Sequence, residues 1–380
     1  VKIRSVTVGF NVALPSVARR VKRLGEFLDA ATQAFVGKGY EVQTKRITSQ
    51  PWPMYLSGLS RRRILEVIRM LEECCRQHNI DFFSIGTAYE SEQIRFVAQI
   101  LESTTIVSGS ATIAENKRGI DYHAAWAAAD TIARIAKHGT NGETNFRFAA
   151  LANCPADIPF YPASYHRGRT CFMIALESGD ILQRALSRRL DMASARRRLA
   201  STMLTEYRKV ERIARRLERA HGVLYKGIDT SPAPSLQRRG SVALAIERLL
   251  RGRFGAPGTL AAAGMITSVL RSIEVRRCGF SGLMLPVMED FGLARRIGDL
   301  NIDTLLACSA VCGTGLDCVP LPGGIGQKGI NKILLDVTTL ALKLNKPLSA
   351  RLLPMPGLDT GDMTRIDSPY LINCRIPRVA

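Results

Sequence analysis

Three short stretches hold the residue types that could do chemistry: "NCPADIPFYPASYH" (153–166), "IDTSPAP" (228–234) and "AVCGTGLDCVPLPGG" (310–324). In the first, His166 is a side chain able to act as acid, base or metal ligand near neutral pH. Asp157 is a carboxylate nine residues away, and Asn153 could orient a carbonyl. The prolines between them stiffen the loop enough to pre-position side chains. The structural alternative is a loop whose Asn and Asp satisfy their own backbone. In the second stretch, Asp229 and Ser231, with Thr230 between them, suit a cation or a hydroxylated ligand; equally, they suit the capping of the next turn. In the third, Cys312 is a nucleophile only if its thiolate is stabilised. Gly313 lets backbone approach closely, and Asp317 could hold a divalent cation or orient a base. Arg351, further on, suits a carboxylate or phosphate partner.

The expected site follows. His166, Asp157 and Cys312 are the catalytic candidates. Asn153, Asp229, Ser231, Gly313 and Arg351 are the substrate-binding candidates, and Asp317 is the metal candidate. All are expected to converge at one mouth of the fold. Glu289 and Asp290 are adjacent, so on a helix they diverge by about 100° and cannot act as a pair with each other; Asp290 reads as a cap. "PGLDTGDMTRID" (356–367) lacks the glycine and glutamate of a calcium loop.

The elements that must position these residues alternate. "KIRSVTVGF" (2–10) reads as a strand, and 13–37 has helical spacing. "YEVQTKRIT" (40–48) is a strand and 60–78 a helix capped by Ser60. Strands follow at 81–86, 103–111, 146–153, 170–176 and 222–229, with an alanine-rich helix at 121–138. Helices at 241–251 and 258–273, a strand at 281–286, helices at 302–311 and 327–344, and a strand at 349–355 complete the pattern; the stretch 310–324 reads as a loop. Repeated strand–helix units predict a mainly parallel sheet with helices outside it. Ligands in such sheets sit beyond the carboxyl ends of the strands. No low-complexity linker divides the chain, so residues 1–380 are expected to form one α/β domain.

Charge and cysteines bound the rest. The formal net charge is +20, from 53 Lys and Arg against 33 Asp and Glu, which attracts polyanions. Eleven arginines fall between 184 and 219, interleaved with Leu199, Met203, Val210, Ile213 and Leu217. The expectation is a basic amphipathic helical excursion at 180–221, either a solvated face or a surface for nonspecific nucleic acid. Tyr207 is the one aromatic there. Nine cysteines without a CxxC pair argue against a zinc knuckle and for free thiols in a reducing, cytoplasmic compartment. No apolar run reaches about 18 residues, so no membrane span is expected.

Several blocks carry a resemblance. They are "IRSVTVGFNV" (3–12), "KRIT" (45–48), "LANCPADIPFYPASYH" (151–166), "GIDTSPAPS" (227–235), "GAPGT" (255–259), "CGFSGLMLPVMEDFGLA" (278–294), "AVCGTGLDCVPLPG" (310–323) and "RLLPMPGLDTGD" (351–362). In order and from end to end, they resemble the uncharacterised pyruvate formate-lyase-like family proteins of bacteria and archaea. The resemblance implies a closed ten-stranded α/β barrel like that of the glycyl-radical enzymes, two half-barrels around a central loop. It does not imply their chemistry, because "DSPYLINCRIPRVA" holds no radical glycine to oxidise Cys312. It also implies a small ACT-domain-like partner and amino-acid-linked metabolism. Ala163 and Arg167 stand where that family carries glycines.

Three readings of function emerge. The first is an enzyme of open reaction class, binding a small polar or anionic metabolite in a barrel pocket, with a divalent cation as candidate cofactor. The second is a non-catalytic ligand sensor working with the small partner. The third is an RNA-binding protein using the arginine-rich helix. A homo-oligomer is expected.

Overall fold

The computed structural model describes residues 1–139, 142–186 and 191–379. The first half runs β1 (Lys2–Phe10), α1 (Val17–Val36), β2 (Lys45–Ser49), α2 (Pro53–Leu56), α3 (Arg61–Gln77), β3 (Phe82–Ala88), α4 (Ser91–Glu102), β4 (Val107–Glu115), β5 (Gly119–Ile120), α5 (Tyr122–Ile135) and β6 (Phe148–Ala152). The second runs β7 (Cys171–Glu177), α6 (Gly179–Ala185), α7 (Met192–His221), β8 (Leu224–Ala233), α8 (Val242–Leu250), α9 (Thr259–Ser272), α10 (Phe291–Arg296), α11 (Ile302–Val311), β9 (Gly315–Pro322), α12 (Gly326–Lys343) and β10 (Leu348–Met355).

Local chemistry explains the boundaries. The Ser60 and Asp121 side chains accept the backbone N–H of Arg63 and Ala124, starting α3 and α5 where their caps predict. Helix α7 buries Ala195, Leu199, Met203, Tyr207, Val210, Ile213, Ala214 and Leu217, a stripe at helical spacing. It stops at Gly222, whose φ of 67° is left-handed. Of the expected basic run, Arg188, Arg189 and Leu190 lie outside the described residues.

The strands form one ten-stranded sheet in the order β8-β7-β1-β2-β3-β4-β6-β10-β9, with β5 paired to β4. As expected, the sheet is mainly parallel among the described residues: six of its nine strand pairings run parallel and three antiparallel. Strands β1, β2, β3, β4 and β6 run parallel, but β7 joins β1 and β10 joins β6 antiparallel. The cause is the connection from β6 to β7. It is the proline-stiffened loop 153–170 rather than a crossover helix, so the chain returns in the opposite direction.

Two expectations change. Residues 315–322 form β9, not a loop. Its prolines, Pro320 and Pro322, are tolerated because β9 ends the strand order and pairs in a ladder only with β10. Residues 281–286 form no ladder strand: Gly279 and Ser281 adopt φ of 64° and 47°, which breaks the extended run. This segment instead makes one parallel bridge to each terminal strand, Arg277 to Ile228 of β8 and Pro286 to Asp317 of β9. Gly282 and Gly313 let it lie close: a Cβ on Gly313 would come within 2.5 Å of the Gly282 Cα.

The 153–168 loop packs on the concave face of the sheet. The carbonyl of Pro159 accepts from Thr7 of β1 (3.2 Å), that of Ser164 from Ser84 of β3 (2.7 Å), and that of Ile47 of β2 from the Tyr161 hydroxyl. Ile158, Phe160 and Tyr165 share an apolar cluster with Leu151 of β6, Ala175 of β7 and Ala233 of β8. Strands from across the order thus reach one loop.

Candidate functional site

The loop separates two cavities at its opposite ends. The first, of ≈ 450 Å³, is floored by the loop tip, Phe160 to Ala163, and every strand except β5 lends it a lining residue. It meets the starts of β1 to β4 and the ends of β7 and β8, so the expectation that the site lies beyond the carboxyl ends of the strands holds for only part of its wall. The mixed strand directions are the reason.

Four arginines line this cavity: Arg4, Arg46, Arg147 and Arg351. Arg351 is buried. Its Nε donates to Asp317 Oδ1 at 2.6 Å, and its Nη2 donates to Glu289 Oε1. Arg4 Nη2 donates to the other Glu289 oxygen at 3.1 Å, and the Cys318 thiol donates to Glu289 at 3.2 Å. Burial opposes charge on Glu289, but the Arg351 and Arg4 guanidiniums hold its carboxyl below the ordinary value. Burial pushes the Asp317 carboxyl up, and the Glu289 charge beside it adds to this against the pull of Arg351. Two neighbouring carboxyls are thereby driven in opposite directions.

Arg46 differs from Arg351. It is 8% exposed, its Nε donates to Thr44 Oγ1 at 2.9 Å, and its guanidinium lies over Phe82 and Tyr161, 5.4 and 5.1 Å from the ring centroids. Among the described residues it makes no ion pair with a carboxylate. Burial, with Arg4 nearby, pulls it down to about 10, so it keeps its charge at neutral pH. Ser108 and Thr314 line the same cavity, and their buried hydroxyls have no hydrogen-bond partner.

The structure brings Asp317 and Arg351 together, with Glu289 as the partner that joins them. The other expected residues lie elsewhere, and the expected convergence of Asn153, Asp229 and Asp317 on one pocket is not found. Asn153 and Asp157 line the second cavity, of ≈ 930 Å³, beyond the far end of β6. Asn153 is tied to Asn116 by two 2.6 Å hydrogen bonds. His166 is fully buried between Asp157 and the Gly168 carbonyl. Asp229 lines neither cavity: its carboxylate accepts the N–H groups of Phe280, Ser281 and Ser231 at 2.7–3.0 Å. Ser231 Oγ accepts the Gly282 N–H at 3.0 Å. Both residues hold the 276–286 segment against β8. Cys312 is fully buried, its sulfur facing the Gly315 N–H at 3.4 Å, and it lines neither cavity. Gly313 serves the backbone crossing described above.

Glu289, Asp317 and Cys318 bring ligand-type atoms within 4.8 Å of one another. A divalent cation there would displace Arg351 from both carboxyls and Arg4 from Glu289. Arg4 and Arg46 escape sequence reading because charges near strand starts look solvated. The available signal is an arginine inside "KRIT", a strand whose neighbours Ile47 and Thr48 are both buried.

Fold and site define a mixed α/β protein whose curved sheet holds a recessed, arginine-lined cavity at one end. A family model described as Uncharacterised ACR (DUF711) matches residues 1–367, and the chain belongs to that family. Among curated relatives, a UPF0210 protein of Pyrobaculum arsenaticum is 29% identical over 403 residues, covering 97% of this chain and 88% of the relative. UPF0210 proteins of Methanopyrus kandleri and Oenococcus oeni are 26% and 25% identical, each covering 95% of this chain and 87% of the relative.

Proposed function

We propose that this protein is an enzyme that takes a small anionic metabolite into the arginine-lined cavity and moves a proton on it. The carrying observation is Arg46, a buried guanidinium without a carboxylate partner among the described residues. Burying a guanidinium without an ion-pair partner is costly, so a bound anion would act as its counterion beside the more distant charges of Glu289 and Asp81. The unpartnered hydroxyls of Ser108 and Thr314 supply neutral polar contacts on the same wall. Asp317 and Glu289 then serve as acid and base, since environments that drive two neighbouring carboxyls apart assign one to each role.

The same proposal treats residues 276–286 as a tenth stave. With it, β8 and β9 are joined and the strands close into two five-membered halves, as the likeness to pyruvate formate-lyase-like proteins implies. The likeness is taken as one of architecture alone.

Calorimetry and thermal shift against inorganic phosphate, succinate and acetate test the reading. An anion present at 100 times its Kd should stabilise the wild type by about 2.7 kcal/mol. Arg46→Gln should abolish that stabilisation while folding normally. Equal stabilisation of both proteins, or none by any anion, would count against the proposal.

A further inference from the structure

A second cluster of chemically able side chains lies at the base of the inserted loop, and the anion cavity does not use it. Asp157 and His166 stand on the two legs of the loop, and Cys171 opens β7. All three are buried, and their Oδ1, Nδ1 and Sγ atoms lie within 4.8 Å of one another.

The imidazole constrains what sits among them. Its Nε2 faces the Gly168 carbonyl oxygen at 3.1 Å. A carbonyl only accepts, so Nε2 carries a hydrogen, and in the neutral ring Nδ1 is then a lone pair. That Nδ1 faces Asp157 Oδ1 at 2.8 Å. Two acceptors so close require either a proton between them, on the ring or on the carboxyl, or a metal ion that both ligate. Cys171 separates the alternatives. Its sulfur stands 3.9 Å from the same Nδ1 and 3.8 Å from the Met173 sulfur, and it also interacts with the Asp157 carboxyl and the Gly9 backbone. A proton on the Nδ1–Oδ1 line does not involve this thiol, whereas a metal ion uses all three groups.

We infer that Asp157, His166 and Cys171 form a zinc-type metal site, ligating through carboxylate oxygen, Nδ1 and thiolate, with a fourth position toward the second cavity. One oxygen, one nitrogen and one sulfur are the donor types this borderline-soft ion takes. The Nε2–H bond to the Gly168 carbonyl is the outer contact that fixes the orientation of a metal-bound histidine. Gly9 of β1 leaves the ring its space, since a Cβ there would come 2.4 Å from Nδ1. Asp157 and Lys226 both line the second cavity, which gives an ion a route in. Lys226 Nζ lies 2.9 Å from Asp157 Oδ2, but its side chain is 43% exposed and can swing to water as a cation replaces it. On binding, Cys171 releases its thiol proton to solvent, so affinity rises with pH. None of this depends on the anion cavity.

Cobalt(II) titration of the chelator-stripped full chain is the test. One equivalent should bind, giving a thiolate-to-cobalt charge-transfer band in the near ultraviolet and intense visible bands of tetrahedral cobalt, and zinc should bleach both. Cys171→Ser should lose the charge-transfer band and His166→Gln the uptake, while Cys318→Ser keeps both. X-ray absorption at the zinc edge of the wild type, which needs no variant to fold, should show one sulfur at about 2.3 Å among nitrogen and oxygen neighbours. Absence of stoichiometric uptake, a band that survives Cys171→Ser or vanishes with Cys318→Ser, or a zinc edge without sulfur overturns the assignment.

Discussion

Arg351 joins Asp317 and Glu289, and the two carboxyls answer to pH with opposite sign. Glu289 is held below its ordinary value, so its contribution to stability is full above the unfolded-state pKa and is lost as pH falls through the folded one. Asp317 is raised, so its contribution is full below the unfolded-state value and is lost as pH rises through the folded one. The same ionisation adds a negative charge to the cavity wall. Anion affinity measured calorimetrically should therefore fall as pH rises above the ordinary carboxylate range of about 4, and Asp317→Asn should flatten that profile. A variant with an unchanged slope would remove Asp317 from the site. Of the residues in this network, Asp317 and Arg351 were legible because each sits in a stretch dense in glycine or proline. Arg4 and Arg46 were not, because sequence shows that a strand carries an arginine but not which face of the sheet curves inward. His166 was legible as a chemical side chain, yet its burial between Asp157 and a carbonyl is a property of the folded loop.

At the level of elements, Asp290 shows how one cap can fasten two helices. Its carboxylate accepts from the N–H groups of Gly292 and Leu293 at the start of α10, both at 2.9 Å. It also accepts from the Val242 N–H at 2.5 Å and the Ser241 hydroxyl at 2.7 Å, at the start of α8. Asp290→Ala should cost about 2–4 kcal/mol in chemical denaturation, more than a single exposed cap, because buried donors on both helices are left without an acceptor. A change under about 1 kcal/mol would mean that water replaces it. The helices themselves were readable from periodicity and caps, and α1, α3, α5, α8, α9, α11 and α12 fall close to their expected spans. The strands failed where tertiary context overrides local signals. Prolines at 320 and 322 spell a turn in isolation, and only the place of β9 at the end of the strand order makes them admissible. Residues 281–286 read as a strand by composition, but the left-handed Ser281 belongs to the clamp that Asp229 makes.

Across the whole molecule, the +20 charge is spread over a surface whose largest basic element is α7. Arg208 and Arg215 are paired with Glu274 and Glu211, whereas Arg196, Arg197 and Arg198 are exposed on the first turns of the helix. Tyr207, the one aromatic that could have stacked on a base, is fully buried and bonds to Ser178 and the Thr230 carbonyl. A face with charge but no stacking platform attracts phosphates without reading bases. Single-stranded RNA should therefore bind weakly, without sequence preference, and with an affinity that collapses between about 0.05 and 0.2 M salt. Replacing Arg196, Arg197 and Arg198 by glutamine should lower the slope of log affinity against log salt by about 0.7 for every phosphate that is no longer neutralised, while anion binding in the cavity stays as it was. Tight binding of one sequence at physiological salt would instead mean that exposed arginines of α7 read base edges as well as phosphates.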